Sequence, residues 1–140
     1  MEQVLQLVVV FLAALATGGL MVNWIGLGRA MSRLSVSTYV EFHQATNHTF
    51  DPYMLAIFSP GIHSLSGELA IAGTICYAAV LAVGLPTNVR INKQIARWSV
   101  QVPPDDWSSI RARWIRFHIV RTLFSLPGLA CYILACLVSR

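Results

Sequence analysis

Long apolar runs separated by short polar stretches dominate the chain. The first run, Val4 to Trp24, is broken only by Gln6, Thr17 and Asn23. Its 21 residues match the roughly 20 that a helix needs to cross a hydrocarbon core. A cleaved signal peptide fits poorly, because Met-Glu-Gln carries no Lys or Arg and the run is too long for an h-region. Ala14 and Gly18 form a small-xxx-small pair, with Gly19 following, the pattern that lets helices approach closely.

Gly26 to Phe50 is mixed. Ser35 or Ser37 is placed to cap a short helix through Tyr39, Phe42 and Ala45. Val36, Tyr39, Val40 and His43 recur at helical spacing, so this helix is amphipathic and lies at the membrane interface or leads into the next span. Asp51-Pro52 is a helix-start pair. The apolar run after it, Tyr53 to Ile62, is short and contains Pro60, which reads as a thinned or re-entrant span or the end of a longer helix begun near Ser37. Ser64, Ser66 and Gly67 suggest a tight turn. Leu69 to Leu85 is a clear further span, expected to continue as helix past Pro86 towards Trp98. Pro103-Pro104 closes a loop, and Asp105 or Asp106 caps a last helix from Trp107. That helix is polar for about three turns, then apolar from Ile119 to Val138, with a kink expected at Pro127.

The expectation is therefore an all-α, integral membrane four-helix bundle in one domain over residues 1–140. It has spans near 4–25, 51–65, 68–92 and 107–138, and a short amphipathic interfacial helix after the first span. Charge supports four spans over three. Arg29, Arg33, Arg90, Lys93, Arg97, Arg111, Arg113, Arg116 and Arg121 then share one side, leaving only Arg140 of the ten basic residues elsewhere. The positive-inside rule puts that side in the cytoplasm and both termini outside, in a plasma or inner membrane.

Composition agrees. Hydrophobic residues make up 56% and charged residues 11% of the chain, against about 25% charged in a soluble domain. Mean hydropathy is +0.62. Disorder is excluded on this ground, the composition argues against an ordinary soluble enzyme, and three cysteines, all in apolar runs, exclude a disulfide scaffold. The net charge of +4 speaks for anionic headgroups rather than nucleic acid, given where the cations lie. The partners expected are the lipid bilayer and a hydrophobic small molecule, and Gly-rich faces permit a homo-oligomer.

Three polar groups lie close to the apolar spans, where polar side chains are costly. Asn88 and Asn92 share one helix face, while Arg90, Lys93 and Arg97 share another. The bland reading is helix glue and headgroup contact. On the last helix, Trp107, Arg111, Trp114, His118 and Arg121 are spaced four, three, four and three, which makes one stripe. Arg121 one turn beyond His118 disfavours the imidazolium and leaves a neutral base, and Arg121 itself is suited to an oxyanion or carboxylate. The bland reading is an aromatic belt with snorkelling arginines. His43 and Asn47 form a third pair on one face, which His48 does not share. A metal held between His43 and His118 finds no clear carboxylate or thiolate to join it, so no metal is expected. His63 reads as incidental. No phosphate loop, serine elbow, carboxylate pair or dinucleotide fingerprint is present.

Three stretches carry a resemblance: Leu85 to Trp98 (LPTNVRINKQIARW), the Pro-Pro-Asp-Asp-Trp linker, and Trp114 to Thr122 (WIRFHIVRT). Together with Phe-His-Gln-Ala-Thr-Asn at 42–47, they resemble the anthrone oxygenase-like family over nearly the whole chain. The resemblance implies a small four-helix membrane protein. Members with assigned roles oxidise anthrones to anthraquinones in polyketide pathways, without metal or flavin, and others are natural product tailoring enzymes or a domain of unknown function. It maps the family's polar positions onto Asn88, Asn92, Trp107, Arg111, Trp114, His118 and Arg121. The mechanism it suggests removes a carbon-bound proton with His118 or His43. Arg121, Asn88 and Asn92 then stabilise the enolate, Trp107 and Trp114 stack on the substrate, and no cofactor takes part. The rivals are a cyclase or isomerase in the same pocket, a non-enzymatic or lipid-binding membrane subunit, and a metal or haem protein.

Overall fold

A computed structural model describes residues 2–50 and 65–139, with side chains described over 3–46 and 66–139. Every regular element among the described residues is helical: α1 (Glu2–Met21), a π-helical segment (Val22–Leu27), α2 (Gly28–Met31), α3 (Val36–Phe50), α4 (Leu65–Gly84), α5 (Asn88–Ile95) and α6 (Trp107–Val138). Three stretches, Gln3–Met31, Ser66–Ile95 and Trp107–Val138, are long and apolar enough to cross a membrane, the mark of an integral membrane protein. The expected second span, with Asp51-Pro52, Pro60, His63 and Ser64, lies outside the described residues except for Leu65, where α4 opens.

Several local expectations change. Helix does not end near residue 25 but runs on to Met31 through the π segment. There the Asn23 amide donates to Gly19 O at 3.0 Å, while the Gly28 N–H reaches back five residues to Asn23 O. Such a wide turn is the signature of a π-bulge. Ser66 and Gly67 belong to the first turn of α4 rather than to a turn before it. The helix expected to run past Pro86 breaks at 85–87, because proline has no N–H to donate and crowds the preceding turn. Thr87 Oγ1 donates to Val83 O at this break. As expected, the last helix starts at Trp107, and it carries Pro127 inside it. Ser35 caps α3, its hydroxyl accepting from the Thr38 N–H at 3.3 Å. Asp106 occupies the N-cap of α6, but its side chain caps nothing.

α1 and α4 both run antiparallel to α6. Along α1, Ser139 Oγ donates to Gln6 Oε1 at 2.8 Å, and far along the chain Arg111 Nη1 donates to Met31 O at 3.0 Å. Along α4, Gly73 meets Tyr132 while Gly84 meets Arg121. The α4–α6 crossing is close because it is built on glycine. A Cβ at Gly73 would lie 3.0 Å from the Tyr132 ring, and one at Gly128 3.0 Å from Cys76 Cβ and Tyr77. The pair expected to mediate helix approach on α1 does not do so: Ala14, Gly18 and Gly19 face outward, while Ala13, Thr17 and Leu20 turn inward.

Two apolar clusters result. One, at the arginine-rich end, joins Met31, Tyr39, Val40, Ile91, Ile95, Ile110 and Trp114. The other, at the far end, joins Ala13, Tyr77 and Tyr132.

Candidate functional site

The α6 stripe is buried in the order its spacing implies. Trp114, His118 and Arg121 are buried, Trp107 and Arg111 half-buried, and Arg113 and Arg116 exposed. On α5, Asn88 is buried and Asn92 half-buried, while Arg90, Lys93 and Arg97 stand outside. α3 lays its apolar face on the same stripe. Tyr39 and His43 follow one another down α6, Tyr39 beside Trp107 at 6.2 Å and His43 beside Trp114 at 5.0 Å between ring centroids. Gln44 anchors this contact by donating to Ile95 O and Trp98 O, which caps the C-terminus of α5.

Trp114 stands at the centre. Its indole lies between two imidazoles, His43 edge-on and His118 at 4.0 Å. Its N–H donates to Asn92 Oδ1 at 2.8 Å, and its main-chain oxygen accepts from Asn88 Nδ2 at 3.1 Å. His43 Nε2 also bonds Asn92 Oδ1, at 3.1 Å. Both asparagines expected to stabilise an enolate are therefore engaged with protein groups. Asn92 turns its oxygen inward, and Asn88 Oδ1 is buried without a hydrogen-bond partner. The indole expected to stack on a substrate is packed against the two imidazoles, one edge-on and one tilted. Trp107, the other aromatic expected there, carries the Arg111 guanidinium 4.5 Å above its ring.

Arg121 is 8% exposed and its Nε is buried without a hydrogen-bond partner. Glu41, Glu68, Asp105 and Asp106, the acidic residues whose side chains are described beyond residue 2, are all exposed, so none of them shares the interior with it. Gly84 makes room for it: a Cβ there would lie 2.9 Å from Arg121 Nε and 3.0 Å from Cζ. His118, one turn away, likewise has Nδ1 buried without a partner.

His43, Asn88, Asn92, Trp114, His118 and Arg121 thus converge, with Trp107 and Arg111 at the rim. Asn47 follows His43 by one turn of α3, with its side chain outside those described. Gly84 and Tyr39 were not singled out as site residues by the sequence. Gly84 sits among Gly-Leu-Pro, which reads as a helix end rather than as space for a guanidinium, and Tyr39 reads as core, although its buried hydroxyl has no partner. Among the described residues no group of three His, Cys, Asp or Glu side chains converges as metal ligands.

Neither the curated proteins nor the solved structures provide a match to this chain. The family model described as anthrone oxygenase matches residues 3–131, from α1 into the last turns of α6, and the chain belongs to the anthrone oxygenase family.

Proposed function

We propose that the chain is a membrane-embedded, cofactor-independent oxygenase of a hydrophobic, enolisable aromatic molecule of the anthrone type. The observation that carries this is the pair His118 and Arg121, buried side by side, with Nδ1 of one and Nε of the other unpartnered. A cation and an imidazole in an apolar bundle, with no buried carboxylate among the described side chains, are expensive, and such groups mark functional sites. A histidine, His43 or His118, removes one proton from the substrate methylene. Arg121 holds the oxyanion of the resulting enolate. The carbanion gives its electrons to dioxygen and a carbon–oxygen bond forms. The hydroperoxide then loses water as its O–O bond breaks, so that CH2 and O2 become C=O and H2O. The protein supplies positioning and electrostatics.

This reading includes four passes, and it is supported by the described helices: α1 and α4 run the same way, while α3, between them in the chain, runs alongside α6 in the opposite sense to both. With nine of the ten basic residues at one end, the positive-inside rule places that end in the cytoplasm and both termini outside. A planar apolar substrate then enters from the bilayer and meets the site near the inner interface.

The test is oxygen uptake by detergent-purified protein with an anthrone, beside His118→Ala and Arg121→Ala. Uptake by the parent protein and its loss in the variants, with helicity unchanged, is expected. Full activity in both variants, or substrate consumption without oxygen uptake, overturns the proposal.

A further inference from the structure

Asn92 and Trp114 are joined to His43 by bonds whose directions are not interchangeable. An indole N–H can only donate, so at 2.8 Å the group facing Trp114 Nε1 must be the oxygen of the Asn92 amide. Rotating that amide would set two donors against each other. The same oxygen lies 3.1 Å from His43 Nε2. An amide oxygen only accepts, so His43 Nε2 must carry a hydrogen. In the neutral ring the lone pair then resides on Nδ1. Trp114 can enforce this because it is itself immobilised: it is buried, its carbonyl accepts from Asn88 Nδ2, and His118 packs on its ring. Nothing comparable sets the tautomer of His118, whose Nδ1 is buried without a partner.

We propose that Asn92 and Trp114 are positioning residues that hold His43 in its Nε2–H tautomer, with the ring's lone pair on Nδ1. This rests on the reading of a histidine base, and within it Asn92 acts through His43 rather than on the substrate.

The experiment is nitrogen-15 NMR of histidine-labelled, detergent-purified full chain, with the His43 signals assigned by their loss in His43→Gln. The parent protein is expected to show His43 as the Nε2–H tautomer. Asn92→Leu should release it to a mixture. Asn92→Asp, which keeps an acceptor oxygen, should restore the single tautomer. Trp114→Phe should behave like Asn92→Leu in weaker form, because the amide is then free to turn over. In turnover, Asn92→Leu should lower kcat about tenfold or more with KM unchanged, part of the roughly 10²–10⁴-fold that a positioned base supplies. A His43 that is Nδ1–H in the parent, or a tautomer indifferent to Asn92→Leu, overturns the proposal. The NMR signature does not depend on turnover. The expected tautomers without oxygen uptake would therefore remove the oxygenase reading and leave the positioning intact.

Discussion

The two halves of α6 treat buried polar groups in opposite ways. Towards the far end they satisfy one another. Thr17 and Tyr77 share a hydrogen bond of 2.7 Å, Tyr77 Oη reaches Ala13 O at 2.9 Å, and Thr74 meets Tyr132 at 3.0 Å. Ser125 and Thr122 turn back to main-chain oxygens of their own helix. Towards the arginine-rich end, Tyr39 Oη, Asn88 Oδ1, His118 Nδ1 and Arg121 Nε are buried without partners. Native interiors rarely leave such groups unmatched, and where they do the exception calls for a cause. A satisfied network stabilises helix contacts, whereas an unsatisfied one lowers stability and is retained for something else. The same helix is thus a structural element in one half and carries the candidate site in the other.

The sharpest way to break this contrast is Arg121→Leu. Losing the oxyanion partner should lower kcat by about 10²–10³-fold, the cost of removing one such donor. Thermal stability should hold or rise, because the substitution removes a buried charge that pairs with no carboxylate among the described residues. Oxygen uptake and a melting curve in the same detergent check both parts, and a large fall in Tm would place Arg121 with the structural groups.

Two glycines separate the halves by a smaller margin. Gly84→Ala puts a methyl 2.9 Å from Arg121 Nε and should shift the guanidinium. A displacement near 1 Å costs up to about 100-fold in rate, with little change in Tm because a side chain end gives way easily. Gly128→Ala meets Cys76 Cβ, held close to its backbone. It should cost about 1–3 kcal/mol of stability by overpacking and leave kcat alone. Exchanged phenotypes would refute the division.

The mildest change expected is Tyr77→Phe. It removes the hydroxyl from Thr17 and Ala13 O, worth about 1 kcal/mol, and should lower Tm slightly at full turnover.

The stripe on α6 and the paired face of α5 were legible because they depend on one helix at a time. Trp107, Arg111, Trp114, His118 and Arg121 repeat at the period of the helix, and Asn88 and Asn92 are one turn apart. The functional roles within the stripe were less legible. An asparagine near a histidine reads equally well as donor or acceptor, and only the indole of Trp114 decides that its oxygen faces inward. The break at Pro86 and the helix extending to Met31 also departed from the pattern. Both depend on how main-chain groups are satisfied, by Thr87 in one case and Asn23 in the other, which hydropathy does not register.

Taken alone, the order of residues determined the helical class, the membrane setting, the burial of one α6 face and the family, because apolar run length and helical periodicity are local properties of a chain. Only the tertiary structure decided which polar atoms find partners. Thr17 meets Tyr77 across 60 residues and His43 meets Asn92 across 49, and Arg121 rests on Gly84. Those meetings depend on the register and closeness with which separate helices cross, set by the fit of glycines against side chains on another helix, and no periodicity within a single helix encodes that fit.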